Sequence, residues 1–519
     1  MKKNVRPLAT AAALVVLTSL AACGGGSSGS GSAAPQPPAA VTPAPVTPPV
    51  TPPVSTPSQP SDRFTLSGSC QAPRTGVSPT GAAYQDRQGT LLDELKWVDA
   101  YVNDVYLWYR ELPTGLQLQD YRSPVDYFGV MKTSALTPSG RPKDRYHFTY
   151  PSDVWDDATN GIELGYGVTW SRSENTAPVR VWIAAMVEVG SPAARAGIQR
   201  GDRLESVDGV SITDNTSAGV ATLNAGLFPE RTGEQHRMVL SRAGASFSAS
   251  MTAVRVAQPS VPNIRLLDTP TGKVGYLLFS DHNAVAETQL VQAISIFKAA
   301  EVSDVVLDMR YNGGGLLSIA SMLAYMIAGP EATEGKIFEV LQQNDKATPR
   351  APLMFRSTAV GYPALSPIGA GTPLPYLGLK RVTVLTTPGT CSASESVINS
   401  LRGIDIEVNL IGGETCGKPY AFDPAPNCGT TYFAIQYQGR NNKGFGEFDD
   451  GFQPTCRVSD DLTRPLGDKA EGMLAAALNY RAVGNCSPPQ QQRLARAGAP
   501  IAPMQVVRPP IKQIAVRDR

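Results

Sequence analysis

The stretch TTPGTCSASES, residues 386–396, holds three serines and a cysteine. It lies where an apolar β-branched run, Arg381-Val382-Thr383-Val384-Leu385, gives way to a helix-like one, Val397-Ile398-Asn399-Ser400-Leu401. A hydroxyl at such a turn can act as a nucleophile if a neighbour takes its proton. The usual base is scarce here. The chain has three histidines, His147, His236 and His282, and they are scattered, with no metal-spaced pair among them. A second stretch, DVVLDMRYNGGGLL (304–317), ends an apolar run in three glycines ahead of a helix-like segment. Glycines there allow close backbone approach, and a helix N-terminus adds positive partial charge, so the turn could hold an oxyanion. A tight strand-to-helix turn with no chemistry would read the same way. Ser295-Ile296-Phe297-Lys298 has the S-x-x-K spacing of penicillin-binding enzymes, but it sits inside an amphipathic run with no K-T-G partner and is set aside. Cys391 has no histidine near it in sequence to form a thiolate pair.

These segments need a frame. Beyond Val274, strand-like and helix-like runs alternate: KVGYLLF, AVAETQLVQAISIFKAA, DVVLDMR, LLSIASMLAYMIAG, RVTVLTT, SESVINSLRG and IEVNLIGG. The alternation predicts an α/β layer of mainly parallel strands, buried on both faces. Upstream, TLLDELKWVDAYVNDVYLWYREL places Leu91, Leu95, Val98, Val102, Val105 and Tyr109 at helical spacing, with Asp93 and Glu94 near the favourable end of the dipole. Trp97, Tyr101 and Trp108 form a neighbouring stripe that reads as a widened buried face or a recognition surface, the former preferred. Residues 162–256 change to short strands and Gly turns.

The ends are of another kind. A basic Met1-Lys2-Lys3-Asn4-Val5-Arg6 precedes an apolar run (8–20) too short to span a bilayer as a permanent helix. Leu20-Ala21-Ala22-Cys23 resembles a bacterial lipobox, which implies lipidation at Cys23 and export. Gly24, in place of a retaining Asp, favours the outer membrane. Residues 24–62 are Gly/Ser-rich and then Pro-rich, a tether that cannot bury a core. Residues 484–519 are Pro-, Gln- and Arg-rich and are expected to be disordered. Without Cys23, six cysteines remain of the seven, an even number that suggests disulfides in an exported protein. A formal net charge of +1 gives no sign of a nucleic-acid partner.

Two resemblances join the pieces. GSPAARAGIQRGDRLESVDG (190–209) resembles the helix and following strand of a PDZ domain. Gly165, Tyr166, Gly167 and Val168 match the loop that receives a peptide's terminal carboxylate, with a strand edge beyond it that an extended peptide can join. Downstream, three segments occur in the order and approximate spacing of the C-terminal processing, or tail-specific, serine peptidases. They are Asp308-Met309-Arg310-Tyr311-Asn312-Gly313-Gly314, Ser392-Ala393-Ser394-Glu395 and Thr415-Cys416-Gly417-Lys418-Pro419. The resemblance implies that Ser392 is the nucleophile and Lys418, held neutral by burial, is its base. It also implies an oxyanion hole from the N–H of Ala393 with that of Gly313 or Gly314. Ser394 reads as a helix cap and Glu395 as a favourable first-turn charge. Two positions depart from the family: Pro419 follows the lysine where a glycine is usual, and Phe422 stands where a lysine-orienting glutamine is usual. Gln436 and Gln438 are candidates to replace it. If the dyad assembles, Cys391 and Cys416 could bond and clamp nucleophile to base; a local Cys416–Cys428 loop is the alternative.

The expected organisation is multidomain α/β. A signal peptide (1–23) and tether (24–62) are followed by a helical N-terminal region (63–158), a PDZ domain (159–256), a crotonase-like α/β peptidase core (257–483) and a tail (484–519). The expected activity is hydrolysis of exported polypeptides near their free C-termini, with no metal or organic cofactor. The alternatives are a PDZ-bearing binding lipoprotein with an inactive core, and a hydrolase of peptidoglycan cross-links.

Overall fold

The computed structural model describes residues 62–78, 81–173, 180–362, 368–486, 504–507 and 515–516. The signal peptide, Cys23 and almost all of the tether lie outside the described residues.

The central sheet has six strands in the order Asn263–Thr269, Gly272–Leu278, Asp304–Asp308, Arg381–Thr386, Glu407–Gly412 and Cys456–Arg457. The first two are antiparallel and every later pairing is parallel. Every residue of Asp304–Asp308 is buried, as expected for a strand covered on both sides. Val305 and Leu307 pack towards helices Ala286–Ala299, Leu317–Ala328 and Ala393–Gly403. Val306, between them, points to the opposite face and helix Gly472–Val483. Thus the seven alternating segments read from sequence form strands and helices in the expected order.

In the N-terminal region, helix Leu91–Val105 starts at a capping box in which Thr90 and Asp93 exchange backbone N–H bonds. Trp97 and Tyr101 are buried and stacked, with ring centroids 5.2 Å apart, so these two belong to the core. The helical period suggested continuation to Tyr109. Instead the helix stops at Val105, because the Leu107 N–H turns to the carbonyl of Ile435.

Strands Ile162–Gly165 and Val254–Ala257 pair antiparallel and form the stem of a second β unit with its own apolar core. Its sheet runs Ala245–Thr252, Gln235–Arg242, Arg203–Val207, Trp182–Val187, Val168–Ser173. The outer strand beyond Val168–Ser173 comes from the far end of the chain. Met504–Val507 lies antiparallel on it, pairing Met504 with Ser173 and Val507 with Trp170. The expected disorder of residues 484–519 therefore does not hold at this strand, whose ladder and apolar contacts order it.

Three disulfides join Cys70 to Cys428, Cys391 to Cys416 and Cys456 to Cys486. The local Cys416–Cys428 loop is excluded, because Cys428 is bonded to Cys70.

Candidate active site

Ser392 sits where strand Arg381–Thr386 has turned into helix Ala393–Gly403, at φ 60° and ψ −115°. A non-glycine residue in that region stores strain of roughly 1–3 kcal/mol, so the surroundings must hold it. They do so from three sides. The Cys391 N–H donates to the Asn312 carbonyl (3.1 Å), and the Ser394 hydroxyl donates to the same carbonyl (3.0 Å). Cys391 is bonded to Cys416 with Cα atoms 5.1 Å apart. The Ser392 N–H donates to Glu395 Oε2 (2.9 Å). The carboxylate thus satisfies the cap, and the buried Ser392 Oγ has no hydrogen-bond partner among the described residues.

Glu395 does more than complement a helix dipole. Its Oε2 also accepts the Lys418 N–H (2.9 Å), and its Oε1 accepts the Gly417 N–H (2.8 Å) and the Thr415 hydroxyl (2.5 Å). Burial pushes this carboxyl above its ordinary range, while the bonds from Thr415, Lys418, Ser392 and Gly417 pull against it. The Cys416 N–H closes the join by donating to the Thr390 carbonyl (3.0 Å). Serine turn and lysine loop are therefore tied by a covalent bond, a shared carboxylate and a backbone bond. Cys391, Glu395 and Cys416 cluster like metal ligands, but both sulfurs belong to the disulfide, which leaves one carboxylate.

Lys418 is buried, with its Nζ 4.2 Å from the Phe422 ring centroid and 4.6 Å from that of Tyr146. Burial pushes its pKa far below the ordinary 10.5, against the attraction of Asp144 and Glu395. Phe422, at the family's glutamine position, is one wall of this apolar enclosure. The two candidate glutamines are engaged elsewhere: Gln436 Nε2 with Tyr101 and the Asp423 carbonyl, Gln438 Nε2 with the Gly446 carbonyl.

The glycine turn is organised by Asn312. Its Nδ2 donates to the Phe279 carbonyl (3.0 Å), which leaves Oδ1 to accept from the Gly314 N–H (3.0 Å) and from His282 Nδ1 (2.9 Å). That engagement removes Gly314 as an oxyanion donor, because its one N–H is already bound. Gly313 and Ala393 remain the candidates. His282 is not isolated, as its sequence position suggested. It is buried behind this turn, and burial lowers its pKa to about 3, so it is neutral. No sequence spacing foretold the contact, since 30 residues separate His282 from Asn312.

The strand end is anchored below. Arg310 is fully buried and bonds Asp308 (2.9 Å), Asp460 (2.7 Å) and Glu471 (2.8 Å). Arg200 of the β unit also reaches Asp460 (2.6 Å) and bonds the Tyr311 hydroxyl. Removing either partner from such a buried network would strand a charge.

In the Gly165–Val168 turn, Gly165 has φ 153° and Gly167 has φ 76°. A Cβ on Gly167 would stand 2.4 Å from that of Ser191, so only glycine fits. The Tyr166 carbonyl accepts the Ala193 N–H and the Gly167 carbonyl accepts the Glu188 N–H, which locks the turn against the short helix Pro192–Arg195.

Comparison with known proteins agrees with this architecture. The profile of peptidase family S41 matches residues 273–443, that of the peptidase S41 N-terminal domain residues 93–150, and that of a PDZ domain residues 184–221. The chain is similar to a carboxyl-terminal-processing protease of Synechocystis sp., 27% identical over 355 residues, covering 66% of this chain and 74% of that protein. A carboxyl-terminal-processing protease of Picosynechococcus sp. is 26% identical over 234 residues, 44% of this chain. That match spans about half, 49%, of the relative's length. Among solved structures, a putative S41 protease from Bacteroides fragilis superposes with a TM-score of 0.59 at 24% identity, covering 75% of this chain and 97% of that one. The serine turn, the lysine loop and the glycine turn thus all lie within the stretch that matches peptidase family S41, downstream of the matched S41 N-terminal and PDZ domains.

Proposed function

We propose that this protein is a serine endopeptidase that cleaves exported polypeptides near their C-termini with a Ser392/Lys418 dyad. The observation that carries the reading is that one Glu395 oxygen accepts both the Ser392 and the Lys418 N–H, beside the disulfide that joins their loops. Neutral Lys418 takes the Ser392 proton as Oγ attacks the scissile carbonyl. The oxyanion is received by the N–H groups of Ala393 and Gly313. The lysine then returns the proton to the leaving amine, and a water attacks the acyl-enzyme by the same route. The PDZ unit recruits substrate tails through the Gly165–Val168 turn and its neighbouring strand edge.

Export and lipid anchoring at Cys23 are part of the proposal. Three disulfides among the described residues suit an oxidising compartment outside the cytoplasm.

The test is digestion of an unstructured polypeptide by purified wild type, Ser392→Ala and Lys418→Ala, followed by mass spectrometry. Cleavage by wild type alone, with each variant slowed by roughly 10³-fold or more, supports the dyad. Equal cleavage by all three would place the chemistry elsewhere.

A further inference from the structure

The geometry points to a cis-acting blocker: we infer that the chain's own C-terminal segment occupies the PDZ peptide edge and the catalytic cleft, and must be displaced by a substrate tail. The inference rests on the peptidase reading only for its effect on cleavage; the docking itself is independent of it.

Four observations carry it. First, Met504–Val507 pairs antiparallel with Val168–Ser173 and runs towards the Gly165–Val168 turn, the direction a C-terminal peptide takes when it adds a strand at such an edge. Second, its side chains alternate as an added strand requires. Met504 and Val506 pack with Ala185, Tyr311 and Leu462, while Val507 packs on the apolar core of the β unit. The strand is therefore seated against both the PDZ sheet and Tyr311 of the peptidase core. Third, Val506 Cβ lies 3.8 Å from where a Cβ on Gly389 would stand, three residues before the nucleophile. Fourth, the segment returns at the site itself. Ala515–Val516 pairs parallel with Gly315–Leu316, directly after Gly313 and Gly314, and has Cα atoms within 8 Å of Tyr420–Ala421, two residues past Lys418.

The occupant is an internal peptide. Twelve residues follow Val507, and Pro509 and Pro510 have no N–H with which to extend a ladder. Val507 therefore brings no carboxylate to the glycine turn. A substrate ending in a free carboxylate can make every strand contact that this segment makes and add an ion–amide interaction at the turn. Displacement then favours true C-termini over internal segments, so the blocker acts also as a specificity filter.

The probe is a fluorescent peptide of residues 502–507 with a free carboxylate. Its binding is measured to the full chain, to the chain stopped after Pro503, and to the full chain carrying Val506→Asp and Val507→Asp, all with Ser392→Ala. Freeing the edge should tighten binding by roughly tenfold or more in both altered chains, by the fraction of full chain that is self-occupied. With Ser392 restored, both should cleave an unstructured polypeptide faster by a similar factor. Unchanged affinity in both altered chains overturns the proposal, even if all of them cleave. Tightened binding with no cleavage by any form upholds the blocker and instead sinks the peptidase reading.

Discussion

The backbone N–H of Ser392 and that of Lys418 donate to the same oxygen, Glu395 Oε2, each at 2.9 Å. The proposed nucleophile and base are thereby held by one carboxylate four atoms from a helix backbone, without a histidine between them. Because all four of its partners are donors, an amide at this position would turn an NH₂ against at least one of them. Glu395→Gln should therefore lower kcat by roughly 10²-fold and destabilise by about 1–3 kcal/mol, the cost of a buried donor left unpaired. A variant with unchanged kcat and an unchanged melting curve would show that this carboxylate does not position the dyad.

The disulfide between Cys391 and Cys416 closes a short loop across the dyad. By loop-closure entropy it contributes about 3 kcal/mol of stability. Changing both cysteines to Ala should lower the melting temperature and, more tellingly, lower kcat well beyond the effect of the equivalent change at Cys456 and Cys486. Equal effects of the two pairs on kcat would reduce the bond to a general staple.

With Lys418 as the proposed base, its titration should set the acid limb of the activity profile. Its ordinary pKa is 10.5, and burial lowers it far below that. A base works only when neutral, so kcat/KM should rise with pH through the lowered value and reach its plateau well short of 10.5. Stability follows the same sign. Between the lowered pKa and 10.5 the unfolded chain binds a proton that the folded chain does not, so unfolding free energy should increase with pH there. Lys418→Met should abolish cleavage and flatten that slope. An acid limb that persists unchanged on a non-peptide acyl substrate of Lys418→Met would assign it to another group.

Glu339 predicts a slope of opposite sign. It is buried beside the Ser396 hydroxyl of helix Ala393–Gly403 (3.1 Å), and burial pushes its pKa from 4.5 up to about 7. The folded state thus keeps a proton that the unfolded chain loses above 4.5. Stability is greatest below that pH and falls as pH rises to about 7, by about 3 kcal/mol in all. Glu339→Gln should match wild type near pH 4 and exceed it in melting temperature at pH 8. Parallel melting curves for the two proteins across that range would refute the assignment.

By itself, the sequence determined the local elements and the chemical identities. The alternation of apolar runs specified the parallel sheet and its helices, because period and burial are written residue by residue. The order of Asn312-Gly313-Gly314, Ser392-Ala393-Ser394-Glu395 and Gly417-Lys418 pointed to a candidate site, because the ordered set resembles that of the tail-specific peptidases although no single piece is decisive. Only the tertiary structure decided how those pieces meet. Six cysteines allow 15 pairings, and the choice of Cys391 with Cys416 depends on where two turns 25 residues apart are set down by the sheet. Glu395 read as a first-turn charge because its partners at Thr415, Gly417 and Lys418 lie on another loop. His282 read as isolated because Asn312 is a neighbour only through the pairing of the strands that precede them, Gly272–Leu278 and Asp304–Asp308. Met504–Val507 is too short and too Pro-flanked to signal a strand. It becomes one because an edge of unpaired backbone groups stands beside it, and such an edge is a property of the folded sheet rather than of either segment alone.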